Sequence, residues 1–436
     1  MVGLARSGQA AARLLAARGE TVRGVDAGSP KGAGRLREAG VEVFLDTDGL
    51  ALLEGTRTVV KSPGVPREAA VIAAALERGI EVVGELELAW RALPNRFVAV
   101  TGTNGKTTTV ELLGHVYRSA GEPVAVAGNV GTALSELAGA VDPDATVVCE
   151  CSSFQLEDTD RLAPECAVFL NLAPDHLDRH RDLESYLAAK LRIFANQGND
   201  DLAVYNAGEP ELAGVDLGGC ARRVAFCTGA GPDCEVALAE GTIFYDGEPL
   251  LAVAELGLFG EHNAANAMAA AAAALSMGLD REAVREGLRS FAGVPHRLEP
   301  VAEIGGVRFV NDSKATNVAS AAVGLRAFEG GVHAILGGSE KGEPFAPLLD
   351  PVRERCSACY LTGASAGRLA EELAPAVGAG VPLHRCADLE EAVRRAAAAA
   401  APGEVVLLSP ACASFDAFEN FERRGERFRE IVEGLR

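Results

Sequence analysis

The stretch Thr101-Gly102-Thr103-Asn104-Gly105-Lys106-Thr107-Thr108 carries the residue types that phosphate binding requires, in a workable order. Glycine lets backbone N–H groups turn inward onto an anion, and the start of a following helix adds a favourable dipole. Lys106 is placed to reach terminal phosphates, and the Thr107 hydroxyl to ligate Mg2+. The general motif puts its first glycine five residues before the Gly-Lys pair, whereas Gly102 lies three before Gly105. That changes the spacing and leaves the mechanics intact. A glycine turn with a surface lysine is the plain alternative; an apolar strand before the turn and a helical pattern after it favour a nucleoside triphosphate site.

Acids stand at further strand ends. Glu150 follows the apolar run 146–149 and opens Glu150-Cys151-Ser152-Ser153-Phe154-Gln155-Leu156-Glu157. Open α/β sheets present ligand-binding groups at such carboxyl ends, and a metal bridging phosphates takes hard oxygen ligands. A carboxylate capping the next helix competes with that reading, and spacing alone leaves both open. Asp175-His176-Leu177-Asp178-Arg179-His180 follows the apolar run 168–170. One histidine beside two acids is often only a polar loop; two acid-bearing strand ends beside a phosphate loop point further. Lys190 sits in the helical pattern Tyr186-Leu187-Ala188-Ala189-Lys190-Leu191-Arg192, with Tyr186 rather than an acid four residues earlier. The usual helical ion-pair partner is thus missing, a hint that Lys190 has another task.

Three polar turns end strands in the last third: Asn311-Asp312-Ser313-Lys314-Ala315-Thr316-Asn317, Gly337-Gly338-Ser339-Glu340-Lys341, and Ser409-Pro410-Ala411-Cys412-Ala413-Ser414-Phe415-Asp416. Each is compatible with ordinary turn chemistry. On one α/β domain they are expected to converge on one small-molecule crevice.

Such groups need a scaffold that gathers strand ends. The turn Met1-Val2-Gly3-Leu4-Ala5-Arg6-Ser7-Gly8 leads into a helical pattern through Ala17, then strands are expected at 20–26, 41–45, 58–61 and 81–84. A glycine turn of this kind follows a strand of about five residues, and the expectation is that this strand is missing from the chain. A second unit has strands at 96–101, 146–149 and 166–170, a helix to about residue 120, and a small-residue helix over 260–277 ending at Gly278. The third has strands at 307–311, 332–336, 359–361 and 405–409. Alternating strands and helices predict parallel sheets. The expected fold is α/β in three domains: a Rossmann-like one over 1–90, a central P-loop ATPase-type domain over 91–294, and a Rossmann-like one over 295–436.

The 436 residues are 48% hydrophobic and 23% charged, which is ordinary for a globular protein. The net charge of −20 argues against nucleic acid as a partner. Local cationic pockets can still hold phosphate. No apolar run reaches a membrane span and no secretory segment opens the chain, so a cytoplasmic protein is expected. Ten cysteines lie at irregular spacing. Cys356 and Cys359 form a Cys-x-x-Cys without a second pair or His partners at metal spacing, and read as buried or incidental thiols.

Across essentially its whole length the chain resembles the Mur ligase family, in its D-glutamate-adding branch. The resemblance rests on Gly102-Thr103-Asn104-Gly105-Lys106-Thr107, the Glu150 segment, Asp175-His176-Leu177-Asp178, and Gly260-x-His262-Asn263-x-x-Asn266. The strings at 311–317 and 409–414 mark the branch. It implies a cytoplasmic, monomeric, ATP- and Mg2+-dependent ligase, with two ions, that adds D-glutamate to UDP-N-acetylmuramoyl-L-alanine. It implies Gly102, Thr103, Asn104, Gly105, Lys106, Thr107 and Thr108 on the ATP phosphates. Thr107, Glu150, His176 and Lys190 would serve the metals, Lys190 as a carbamate. Asn263 and Asn266 would face adenine, Asp312 the ribose, and Arg297 the transferring phosphate. Arg6, Ser7, Ser62, Gly64 and Asn129 would contact the sugar nucleotide; Thr316, Lys341, Ser414 and Phe421 would hold D-glutamate. The uracil-side segment, Asp26-Ala27-Gly28, departs from the family pattern of a hydroxyl and a base.

The chemistry implied is formation of an acyl phosphate, with Lys106, Arg297 and Mg2+ balancing charge, then attack by the amine of D-glutamate. Closure of the domains is expected to exclude water. Three rivals stand beside it. One is a neighbouring amide ligase such as a folylpolyglutamate synthase. Another is a nucleotide-binding oxidoreductase suggested by Gly3-x-x-x-x-Gly8 and Asp26, and the last is a chain made inert by the missing strand.

Overall fold

The structure, a computed structural model, describes residues 1–129, 131–175, 177–212, 214–228, 234–258, 261–340 and 342–435. The chain divides into two compact units, one of Met1–Leu256 with His262–Phe291 and one of Gly257–Glu261 with Ala292–Arg436.

The first unit begins with parallel strand pairs, Arg23–Val25 with Glu42–Phe44 and Thr58–Lys61 with Glu81–Gly84. Val2 bridges both pairs, through Val25 on one side and Lys61 on the other. Behind it a cavity of about 470 Å³ opens between the two strand edges, lined by Met1, Arg23, Thr58, Val60 and Leu88 among others. The Met1 ammonium donates to the Arg23 carbonyl at 2.8 Å, and burial lowers its pKa to about 6. The helix Arg6–Ala17 packs Ala11 and Ala12, with Leu15 beside them, against this layer.

The rest of this unit is built on a nine-stranded sheet. Its order is Glu248–Ala252, Thr242–Tyr245, Val236–Ala239, Arg222–Thr228, Leu202–Asn206, Cys166–Phe169, Phe97–Thr101, Thr146–Glu150 and Val124–Gly128. Phe97–Thr101 lies between Cys166–Phe169 and Thr146–Glu150, parallel to both. All three are buried on both faces, which is why each reads as an unbroken apolar run. Parallel adjacency aligns their carboxyl ends. The phosphate loop, the Glu150 segment and the 170–175 segment must therefore leave the sheet side by side.

A buried ion pair ties the two layers of this unit together, Lys61 Nζ to Asp158 Oδ2 at 2.6 Å. The Gly84 N–H donates to the Asp158 carbonyl at 2.7 Å. The Glu87 carboxylate accepts from the backbone N–H groups of Asp160, Arg161 and Leu162.

The second unit holds a six-stranded sheet in the order Glu299–Ile304, Val307–Asn311, Val405–Leu408, Val332–Gly337, Cys356–Thr362 and Leu383–Arg385. Its first pair is antiparallel and the others parallel. Apolar clusters fill both faces of the sheet, one around Leu325, Leu348 and Leu369, the other around Val393, Phe428 and Val432.

Parallel sheets were expected, and both large sheets are parallel through their centres with antiparallel pairs toward one edge. The cause is local: Val236–Ala239, Thr242–Tyr245 and Glu248–Ala252 are joined by turns too short for a crossover helix. Cys356 and Cys359 are buried thiols, whereas Cys227 and Cys234 are disulfide-bonded, a pairing the spacing did not announce. Among the described residues no helix is long and apolar enough to cross a membrane.

Candidate active site

The phosphate loop joins Phe97–Thr101 to the helix Lys106–Ser119. Gly105 caps that helix at φ +82°, and a Cβ there would run into the Asn266 amide oxygen. Glycine is thus required twice over, by the left-handed backbone and by the close approach of the helix Glu261–Ser276. The loop's amides are held by a neighbour: Asn171 Oδ1 accepts from the N–H groups of Asn104 at 2.8 Å and Thr103 at 3.1 Å. Lys106 Nζ donates to the carbonyls of Gly102 and Thr103, both at 2.9 Å.

Glu150 ends its strand and is 3% exposed. Its two oxygens accept from Thr107 Oγ1 at 2.7 Å and from Asn129 Nδ2 at 3.0 Å. The helix-capping alternative fails, because Ser152 caps the next helix in a box with Gln155. A threonine hydroxyl and a carboxylate at the mouth of a phosphate loop are the hard oxygen donors that Mg2+ takes.

Lys190, on the helix Leu183–Leu191, is 1% exposed and donates to the Gly102 carbonyl at 2.7 Å. Its ammonium lies 4.5 Å from the centre of the Tyr186 ring. Burial, and then the neighbouring Lys106 charge, push its pKa well below that of a free lysine. Asn263 and Asn266 are buried and bonded to each other at 3.1 Å, with Asn266 against the phosphate loop. Thr108 is buried in the first helical turn. His176 lies outside the described residues.

Of the sugar-nucleotide candidates, Ser7 Oγ meets Ser62 Oγ at 3.3 Å, while Arg6 and Gly64 are exposed nearby in sequence. Asn129 donates to Glu150 Oε1 at 3.0 Å.

In the second unit Asp312 is buried and accepts from Ser409 Oγ at 2.7 Å and from the Leu298 N–H at 3.3 Å. Burial raises its pKa to about 7. Arg297 is half-buried in the segment leading to the strand Glu299–Ile304. The turns after Val307–Asn311, Val332–Gly337 and Val405–Leu408 do converge. The Gly337 N–H donates to the Pro410 carbonyl at 2.8 Å, Ser339 N–H to Ala413 at 2.9 Å, and Ser313 Oγ to Phe421 at 2.8 Å. The Ser414 hydroxyl is buried without a hydrogen-bond partner among the described residues. Thr316 and Phe421 are half-buried, and Lys341 lies outside the described residues.

Sequence reasoning missed Asn171, Tyr186 and Arg179. Asn171 stood in the first position past an apolar run, the same signal that singled out Glu150. The Tyr186 hydroxyl is 3.4 Å from Thr103 Oγ1. Arg179 donates to the Pro63 carbonyl at 3.0 Å and stacks over Phe154 at 4.1 Å, pinning the 62–65 turn. Nothing local announced it.

Comparison with known proteins gives the family. Residues 1–84 match the Mur ligase MurD-like N-terminal domain, 100–274 the Mur ligase middle domain, and 296–412 the Mur ligase glutamate ligase domain. A UDP-N-acetylmuramoylalanine–D-glutamate ligase of Acidobacterium capsulatum is 41% identical, over 99% of this chain and 95% of that protein. One from Anaeromyxobacter dehalogenans is 44% identical over 99% and 96%. Among solved structures, the UDP-N-acetylmuramate–alanine ligase of Thermotoga maritima shares the fold with a TM-score of 0.61 at 20% identity, covering 100% of this chain and 99% of that one. A folylpolyglutamate synthase from Yersinia pestis shares it at 0.56 and 22%, covering 80% and 90%. With a phosphate loop, an adjoining carboxylate and a three-domain α/β architecture matched from end to end, the chain belongs to the Mur ligase family and is of the MurD-like type.

Proposed function

We propose that the chain is an ATP-dependent ligase that joins D-glutamate to UDP-N-acetylmuramoyl-L-alanine, a step in building peptidoglycan. The observation that carries the reading is the shared Glu150 carboxylate, bonded by Thr107 of the phosphate loop and by Asn129. The full-length likeness to D-glutamate ligases supports the choice of substrates over a folylpolyglutamate synthase or an oxidoreductase.

In this reading the ATP phosphates lie against the loop Gly102 to Thr108, with Lys106 on the terminal phosphates. Asn263 and Asn266 take adenine, Asp312 the ribose and Arg297 the transferring phosphate. Two Mg2+ ions, held by Thr107, Glu150, His176 and Lys190, would neutralise phosphate charge. Lys190 suits the role as a carbamate. Its buried amine, biased to the neutral form, attacks carbon dioxide, forms the C–N bond and loses a proton to become an anion. Arg6, Ser7, Ser62, Gly64 and Asn129 orient the sugar nucleotide. Thr316, Lys341, Ser414 and Phe421 hold D-glutamate.

The substrate carboxylate attacks the γ-phosphorus and ADP leaves. The D-glutamate amine then attacks the acyl carbon, giving a tetrahedral species that expels phosphate. A free carboxylate is too poor an acylating group for this, and so ATP is consumed. The protein works in the cytoplasm, with ATP and UDP-linked precursors, as a monomer. The domains of the ligase are 1–90, 91–294 and 295–436.

The test is phosphate release with ATP, Mg2+ and UDP-N-acetylmuramoyl-L-alanine, adding D-glutamate, L-glutamate or no amino acid. Release that needs D-glutamate bears the proposal out; release with another amino acid keeps the ligase and defeats the substrate. Lys106→Ala is expected to abolish turnover with the fold intact.

A further inference from the structure

Arg424 lies one turn into the helix Phe421–Glu433 and is 4% exposed. A buried guanidinium is ordinarily matched by a carboxylate. Here its hydrogen bonds among the described residues go to neutral oxygens. Nε donates to Ser313 Oγ at 3.0 Å, and Nη2 to the Ser313 carbonyl at 2.9 Å and that of Cys412 at 3.1 Å. Nη1 donates to the carbonyls of Cys412 at 3.1 Å and Ala413 at 3.2 Å. Burial lowers its pKa to about 10, so it stays charged at neutral pH. The third turn closes over the same group. Gly338, at φ +147°, has room for no Cβ, which would meet the Ala413 carbonyl and lie 3.1 Å from Arg424 Nη1. One planar fork thus spans the 311–317 turn and the 409–414 turn, with the 337–340 turn packed on it. The next residue along is Ser414, whose buried hydroxyl has no partner among the described residues. An unsatisfied buried hydroxyl costs stability unless a ligand completes it.

We propose that Arg424 is a positioning residue of the amino-acid pocket, fixing the Ser313 and Cys412–Ala413 backbones so that the Ser414 hydroxyl is held ready for the incoming amino acid. This rests on the D-glutamate reading above and adds to it a residue that touches no substrate. Only arginine can do it: a lysine ammonium is a single point of donors and cannot bridge acceptors set around a plane.

The experiment is steady-state kinetics of the full chain as wild type, Arg424→Lys and Arg424→Met, with thermal unfolding of each. Both variants should raise KM for D-glutamate by about tenfold or more, the scale of a lost oriented contact. KM for ATP and for UDP-N-acetylmuramoyl-L-alanine should hold within about twofold. A merely structural arginine would lower kcat with the folded fraction and leave KM for D-glutamate alone, and that result overturns the proposal. Should Arg424→Met fail to fold, Arg424→Lys, which keeps the charge and most of the volume, decides. Wild type without D-glutamate-dependent release would instead defeat the functional reading.

Discussion

Thr107 Oγ1 donates to Glu150 Oε2 across 2.7 Å although 43 residues separate them. The contact exists because their strands, Phe97–Thr101 and Thr146–Glu150, are parallel neighbours whose carboxyl ends coincide. Glu150→Gln keeps the shape and lets the amide pair with Thr107 and Asn129, while removing the charge that suits a metal. Phosphate release should fall by about 100-fold or more, the loss typical of removing a charge-stabilising group, with the melting temperature within a few degrees. Near-normal release would show that Glu150 is structural.

Gly105→Ala places a side chain on left-handed backbone and against Asn266. The backbone alone costs about 1–2 kcal/mol, and the collision pushes the helix Glu261–Ser276 away from the loop. Chemical denaturation should report a loss of at least that size, and ATP binding by calorimetry should weaken with it. Unchanged binding would mean that Asn266 does not set the loop.

Lys61 and Asp158 form a fully buried ion pair inside the first unit. Lys61→Met strands a carboxylate with, among the described residues, Arg67 alone in ion-pair reach, at 3.7 Å, and should cost about 3–5 kcal/mol. Lys61→Met with Asp158→Leu should recover most of it, since no charge is left buried. A double variant as unstable as the single one would contradict this account.

Asp312 has a raised folded pKa of about 7 against about 3.9 unfolded. Between those values the folded state holds a proton that the unfolded state has lost, so stability falls as pH rises through that window and levels off above it. Asp312→Asn removes the titration. Its stability relative to wild type should therefore climb between about pH 4 and pH 7, read from melting curves of the two proteins. A pH-independent difference would place the Asp312 pKa in the ordinary range.

The cavity behind Val2 lies between two parallel edges. Adding about five alternating or wholly apolar residues ahead of Met1, the length of a typical strand, should fill it. Alternation of the parallel ladder turns the Arg23 and Val60 N–H groups toward such a strand. The melting temperature should rise by several degrees, and the same extension carrying two prolines should not raise it.

Much of the scaffold was legible because central parallel strands have no choice of composition. Buried on both faces, 97–101, 146–150 and 166–169 read as apolar runs, and the polar residues after them could be picked out by type alone. The strands at 58–61, 81–84 and 307–311 emerge with the expected bounds. Strands near the sheet margins were not legible. Val236–Ala239 and Thr242–Tyr245, together with the edge strands Glu248–Ala252 and Leu383–Arg385, are short and partly exposed, so their pattern blends into that of turns.

By itself the sequence determined which groups are available: a phosphate loop, acids and amides at strand ends, and three polar turns in the last third. Residue type and position relative to an apolar run suffice for that, both being local properties. Which of them touch was decided by strand order, a long-range property. Strand order joins Asn171 to the loop amides, gives Glu150 both Thr107 and Asn129, and brings Lys190 to the Gly102 carbonyl across 88 residues. It also seats Arg424 among carbonyls that no spacing connects, because a buried charge is tolerated only where the completed fold supplies its acceptors.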